Sequence, residues 1–423
     1  MSDRLTHTFD DRHRLLLTEG SSSSARQTLY GLGRRYAIGV IDPSRLCMCR
    51  FSRLVERFHR SPSYARAPVE YLQFLLRTVR QGRYDVLFPT HEEVYLLSRF
   101  RERLRRDVAV ALPDFDALRT MQNKADFVRL FKQLDLPQPE TKIVDSFAAL
   151  DASSDYPCYI KLPHSTAGTG VRLVGGVEDV RRVEEEFRSS GQLEHVSEIV
   201  VQQPVTGRQS VVQTVFDQGR LVASHCTEAL SVGIGGGQML RVSADHPTVV
   251  RDMRCLGEYL NWHGAMFLEY FYDADHGRPC YIEANPRIGE TMNARLCGLN
   301  LCDLLVRISL GEHVPEALSA QAGVRSHVGF LLLIAVALRG ATRRDIMREW
   351  WHVARGTGPY HDAENEMTRP GEDWASVIPA GATLVELLLR PRLAHHLVRT
   401  TVDNYGLPES AALAIDQMTL DID

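Results

Sequence analysis

The chain has 423 residues, a formal net charge of −4 and 44% hydrophobic residues, enough length for two or three globular units with separate cores. That balance offers no concentrated basic surface for a nucleic-acid backbone. The longest apolar run, "GFLLLIAVAL", is about half the roughly 20 residues that span a bilayer. The eight cysteines include no CxxC pair, and the CxC at Cys47 and Cys49 has no second pair or His cluster to complete a zinc set. The N-terminal "MSDRLTHTFDDRHR" lacks the apolar stretch of a signal peptide. The expectation is a soluble protein of a reducing compartment, the cytoplasm.

In chain order, "HRLLLTEG" predicts a short buried strand ending in a Gly turn, and "SSSSARQTLYGLGRRY" a helix entered through Ser caps. "AIGVIDP" predicts a second strand, "PVEYLQFLLRTVRQG" a helix and "YDVLFPT" a third strand. "EEVYLLSRFRERLRR" and "VAVALP" continue as helix and strand. Such alternation implies a parallel, doubly wound sheet over about residues 12–115. One helical segment, "ALRTMQNKADFVRLFKQLDLP", then closes at a Pro. β-rich stretches follow: "PCYIKLP", "VRLVGG", "EIVVQQPV" and "SVVQTVFDQGRLVASHC", the last a hairpin through its Gly turn. A second hairpin is "AMFLEYFYDADHGRPCYIEANP". Residues 229–247, with three consecutive glycines, read as a connecting loop, and the chain from about 316 as mostly helical.

The second hairpin carries the chemistry. Glu283, Asn285 and Arg287 share one parity, and Glu269 lies on the partner strand. Facing residues in an antiparallel pair approach within about 5 Å, where two carboxylates repel unless a cation lies between them. Glu, Glu and Asn oxygens suit Mg²⁺, which shares its remaining positions with water and phosphate, and Arg287 would reach an anion beside it. The competing explanation is a solvated hairpin with ordinary surface charges. Only four lysines occur among the many arginines: Lys124, Lys132, Lys142 and Lys161. Lys161 precedes a loop holding Gly168 and Gly170, whose backbone could approach phosphate oxygens. That loop is neither a Walker A motif nor GxGxxG.

Taken together, the helix-mouth Lys124, the "PxxxK" ending at Lys161, the small-residue loop, the strand "IVVQQPVTG", Glu269 and "ExNPR" (Glu283, Asn285, Pro286, Arg287) resemble the ATP-grasp superfamily. The nearest likeness is to its carbamoyl-phosphate-synthase-like carboxylate–amine ligases, over about residues 12–310. The resemblance implies a multidomain α/β and α+β chain. It would have a Rossmann-like domain at 1–115, a two-subdomain ATP-grasp unit at 116–315 with a lid at about 140–205, and a mostly helical part at 316–423. It implies ATP and Mg²⁺ as cofactors, with Mn²⁺ able to substitute. Lys124 and Lys161 would hold nucleotide phosphates under Gly168 and Gly170, while Gln202, Gln203, Pro204 and Val205 would form the hinge at the adenine. Glu269, Glu283 and Asn285 would hold the metal. Arg287 and Lys161 would serve phosphoryl transfer. Two positions depart from the pattern. Gln203 stands where an acid is usual, and "GRQ" ending at Gln209 replaces G-x-E, so the ribose contact loses its charge-assisted part.

The implied reaction activates a small carboxylic acid, an amino acid or short peptide among the options, as an acyl-phosphate that an amine attacks. Arg241 would pair with a substrate carboxylate; an exposed Arg on a connecting loop is the equal alternative. A thiol acceptor and a non-catalytic ATP-binding regulator are the other readings. Small molecules are the expected partners, neither nucleic acid nor membrane, with a homodimer open. Asp362, Glu364 and Glu366 read as an acidic surface loop rather than a second metal site. Trp350 and Trp351 fit amphipathic packing as well as an interface. A dinucleotide oxidoreductase is disfavoured, because "TEGSSSSARQ" lacks the later glycines a pyrophosphate needs.

Overall fold

The computed structural model describes residues 12–150, 155–233, 236–315, 318–367, 371–390, 394 and 405–419. The N-terminal stretch 1–11, Gly235 of the three-glycine run and residues 368–370 of the acidic loop lie outside them.

Four parallel strands, β1 (Arg14–Leu17), β2 (Ala37–Asp42), β3 (Val55–Arg60) and β4 (Val86–Phe88), form a sheet in the order β3-β2-β1-β4. β1 and β2 are buried almost throughout, as continuous apolar runs covered on both faces should be. The helix Ser23–Leu32 starts where the Ser22 hydroxyl accepts the Ala25 N–H, so the serines do act as caps. β3, "VERFHR", was not anticipated; its polar edge-strand sequence hides the alternation. The expected strand "VAVALP" is reduced to one bridge, Val86 to Ala109. The two long helical segments are each broken, into Val94–Arg99 with Arg101–Leu104 and into Phe115–Gln122 with Lys124–Gln133. The second break is chemical: the Asn123 side chain accepts the Ala125 and Asp126 N–H groups and caps a new helix. Lys124 thereby becomes a first-turn residue.

A four-stranded antiparallel sheet follows, β5 (Thr141–Val144), β6 (Cys158–Lys161), β7 (Val171–Val174) and β8 (Ile199–Gln202), in the order β5-β8-β6-β7. With the helix Val177–Ser189 it encloses its own small core, built around Ile160, Val183 and Phe187.

The largest sheet contains β9 (Arg208–Asp217), β10 (Arg220–Val232), β11 (Gln238–Ala244), β12 (Gly264–Asp273), β13 (Arg278–Asn285), β14 (Leu318–Ser319), β15 (Arg325–His327) and β16 (Glu364–Asn365). Its order is β13-β12-β9-β10-β11-β15-β16, with β14 beside β10. Both expected hairpins form, β9 with β10 and β12 with β13. The expected loop at 229–247 is instead mostly strand, since β10 and β11 pair through it with register shifts near Ser231. One face of this sheet shares a core with the helix Pro247–Leu260, where Val249, Met253 and Leu256 are fully buried against a cluster holding Val212, Leu268 and Tyr270. Each such side chain contributes roughly 1.5–3 kcal/mol. The opposite face is covered at one end by the helix Leu301–Ser309, where Val215, Val222 and Ala265 join Leu301, Leu305 and Val306 in a second core, and lines a cavity at the other. The stretch from 316 adds the helices Gly329–Leu338, Arg343–Arg355, Ile378–Leu389 and Glu409–Gln417. It also supplies three short strands, β14 to β16, to the sheet. Among the described residues no helix is long and apolar enough to cross a membrane.

Candidate active site

The uncovered end of this second face of the large sheet forms the floor of a cavity of about 580 Å³. Glu269 on β12 stands directly opposite Glu283 on β13, and Phe267 opposite Asn285, all four lining the cavity. Burial, and then the facing Glu283, push the Glu269 carboxyl up to about 7. Lys161, Arg287 and Lys124 oppose that shift without cancelling it.

The hairpin is not regular. Glu269 faces Glu283 while the next residue, Tyr270, faces Tyr281, so Ile282 is an extra residue in β13. Its carbonyl accepts a hydrogen bond from Lys161 Nζ at 3.3 Å. Lys161 ends β6 and donates also to Gln202 Oε1 at 2.6 Å. Burial pulls its pKa down to about 8, partly offset by Glu283. Lys124 arrives from the Asn123-capped helix. Its Nζ lies 3.1 Å from Glu283 Oε1 and donates to the Ser165 carbonyl at 3.1 Å. Two of the four lysines therefore converge on β13 from different units, whereas Lys142 makes an exposed pair with Asp155.

The loop 164–170 lies over this end. Gly168 has φ +73°, and a Cβ at Gly170 would meet Ser165 Cβ at 2.6 Å, so both glycines are required by the turn. The hinge candidates run from Gln202, buried and bonded to Lys161 and Thr141, through Gln203, Pro204 and Val205 into β9. Gln203 Nε2 donates to the Asp155 carbonyl at 3.0 Å, and Gln209 Nε2 to the Gly236 carbonyl at 2.7 Å. Both amides thus have protein partners.

Arg287 lies two residues past β13. Its Nε donates to Glu92 Oε1 at 3.0 Å, with both groups buried, and its guanidinium lies 5.1 Å from the Phe267 ring centre. Gln122 donates to the other Glu92 oxygen at 3.0 Å. The remaining Arg287 contacts are long, 3.4 Å to Asn285 Oδ1 and 3.5 Å to the Ile288 carbonyl. Arg241 differs. It is a buried β11 residue, not an exposed loop residue, and it bonds Glu366 through Nε and Nη2 at 2.7 and 2.6 Å. The same Nη2 meets Glu290 Oε2 at 2.6 Å. Glu366, expected in an acidic surface loop, is only 2% exposed and also accepts from Ser326 and Gln27. A buried arginine drew it inward. Among the described residues no group of three or more His, Cys, Asp or Glu is arranged to hold a metal, Asp362 and Glu364 included.

Sequence reasoning missed Glu92, Gln122, Glu290 and Tyr405, whose ring packs 4.0 Å from that of His91. Only Glu92 had a readable signal. It follows β4, and ligands of such sheets gather beyond the carboxyl ends of the strands.

No protein-family model matches the chain. It is 26% identical over 231 residues to the C-terminal section of the carbamoyl phosphate synthase large chain of Methanopyrus kandleri. That match takes in 50% of this chain and 42% of the relative, so the chain spans less than half the length of the protein it matches. Among solved structures, biotin carboxylase of Campylobacter jejuni superposes with a TM-score of 0.60 at 15% identity, covering 74% of each chain. The L-amino acid ligase of Bacillus licheniformis gives 0.56 at 16% identity, covering 72% of this chain and 75% of that one. The biotin carboxylase domain of the Hydrogenobacter thermophilus 2-oxoglutarate carboxylase, a dimer solved with MgADP and bicarbonate, gives 0.56 at 12% identity, covering 72% and 71%.

Proposed function

This chain has the fold of the ATP-grasp superfamily, and we propose that it is an ATP- and Mg²⁺-dependent ligase. It joins a small carboxylic acid to an amine and releases ADP and phosphate. The observation that carries this reading is the Glu269–Glu283 pair, faced across one hairpin with Lys124 on one carboxylate and Lys161 on the intervening bulge. We take β1 to β4 as the Rossmann-like unit, the β5 to β8 sheet as the lid, and the stretch from 316 as the C-terminal unit that supports the site.

The residues fit a hard divalent cation. Glu269, Glu283 and Asn285 offer only oxygen donors, and two carboxylates leave room for water and phosphate oxygens. Burial first and the facing Glu283 second raise the Glu269 carboxyl, and a cation held between the two would favour both ionised. Mg²⁺ bound there supplies charge neutralisation and orientation to the phosphates. Lys124 and Lys161 hold the phosphates from the helix side and the lid side, and the loop 164–170 covers them and excludes water. Arg287, anchored through Nε by Glu92, keeps its outer N–H groups for the substrate carboxylate and the phosphoryl group it receives. The carboxylate attacks the γ-phosphorus and displaces ADP. The amine then attacks the acyl carbon and displaces phosphate, leaving the amide. Arg241 is reassigned from substrate contact to framework, because Glu290 and Glu366 already engage it.

The test is ADP and phosphate release at saturating Mg²⁺ across amino acids and short peptides, singly and in pairs. Release confined to particular acid–amine pairs is the expected result. ATP binding with no release from any pair would leave the regulatory reading, and release with thiols alone would change the acceptor.

A further inference from the structure

The cavity is lined by more than the residues assigned to metal and phosphate. It reaches from the loop residues Ser165–Gly168 and the Glu269–Glu283 pair to β11 and the helices Gly329–Leu338 and Ile378–Leu389. Its floor crosses the large sheet from Glu283 on β13 to Met239 on β11, four strand intervals or about 19 Å at ~4.8 Å each. The β13 end is polar and charged. Around the β11 end apolar residues join the lining, Leu46, Met48, Met239, Leu331, Ile334 and Ile378, beside the polar Gln238, Arg241, Thr383 and Glu386. Leu331 and Ile334 come from the helix Gly329–Leu338, and Ile378 begins the helix Ile378–Leu389. These helices share a core around Ile334, Ile346 and Leu387, so the wall has its own support.

Two of these residues are large, apolar and left open to solvent, Leu46 at 65% and Ile378 at 44% exposure. Single exposed apolar residues are ordinary. A set converging on one cavity that is continuous with a charged reaction end marks a ligand surface.

We propose that the substrate bound over β11 carries a bulky apolar body, the size of a leucine or phenylalanine side chain, and that the two C-terminal helices select it. The inference rests on the ligase reading for which end of the cavity is reactive. The C-terminal unit then acts as the specificity wall of the site.

The test uses glycine, L-leucine and L-phenylalanine with their amides, on the full chain with Mg²⁺. Calorimetry with a non-hydrolysable ATP analogue reads binding, and phosphate release reads turnover. The leucine and phenylalanine compounds should bind about tenfold or more tightly than their glycine counterparts. The double variant Leu46→Ser, Ile378→Ser changes two exposed positions and should keep the unfolding midpoint. It should weaken leucine and phenylalanine binding about fivefold while leaving the KM for ATP within twofold. Equal affinity for glycine and the apolar compounds, or a variant that weakens both alike, overturns the proposal. Preferential apolar binding with no phosphate release from any pair sustains the apolar site and defeats the ligase reading instead.

Discussion

Two buried arginines stand on the wall of one cavity and are held in opposite ways. Arg241 makes three short charge-assisted bonds to two carboxylates, at 2.6 to 2.7 Å. Arg287 makes one at 3.0 Å, to Glu92, and its other contacts are at the edge of hydrogen-bond range. A guanidinium has five N–H donors. Where the protein engages them strongly the arginine is framework, and where it leaves the outer edge loose the arginine can receive an anion. Position on the cavity wall does not separate the two roles; the partner set does.

Four measurements can break or sharpen that contrast, beginning with the largest expected effect. Arg241→Met leaves Glu366 buried without its cation and should cost roughly 3–5 kcal/mol in urea unfolding. Adding Glu366→Gln should recover part of that loss. A fully stable Arg241→Met would place Arg241 outside the framework.

Arg287→Lys keeps a charge but loses the planar fork. It should lower kcat by about 10²–10³-fold with little change in unfolding midpoint. A loss below fivefold would remove Arg287 from the reaction.

Glu283→Gln should raise the Mg²⁺ concentration that half-saturates nucleotide binding by about 10–100-fold, read by nucleotide fluorescence so that turnover is not required. Unchanged Mg²⁺ dependence would dismiss the metal assignment.

The smallest effect is on pH. The Glu269 carboxyl, raised to about 7, must lose its proton before it serves a cation, so Mg²⁺ affinity should fall by up to about tenfold per unit below that value. Lys161, lowered to about 8, must keep its proton to hold phosphate, so nucleotide affinity should decline above it. A flat binding profile between pH 6 and 9 would contradict both assignments.

The contrast also shows what a sequence can disclose. Glu269 and Glu283 were legible as facing residues because a Gly turn and alternating strands define a hairpin locally. The parallel sheet was legible from its apolar runs, except β3, whose polar residues hide it. Glu92 and Arg287 are 195 positions apart, and Arg241 and Glu366 are 125 apart. No local period encodes such pairs. Arg241 looked like a loop residue because glycines dominate its neighbourhood, yet β10 and β11 pair around them. The helix start at Lys124 was legible as a helix-mouth lysine, and the structure bears it out with the Asn123 cap; only the break from the preceding helix was hidden, because both were read as one helical segment.

The extra residue in β13 has a consequence for changes in chain length. Tyr281 and Tyr270 point to the core and Glu283 and Glu269 to the cavity, even though Tyr281 and Glu283 are two residues apart. Removing Ile282 alone would restore plain alternation and keep every one of these side chains on its present face. A single-residue deletion in a strand usually inverts one side of a sheet; at this position it should spare the fold. What disappears is a carbonyl under Lys161. Such a deletion should leave thermal unfolding nearly unmoved and weaken nucleotide binding, so that an edit of backbone length reads out as a change in charge solvation.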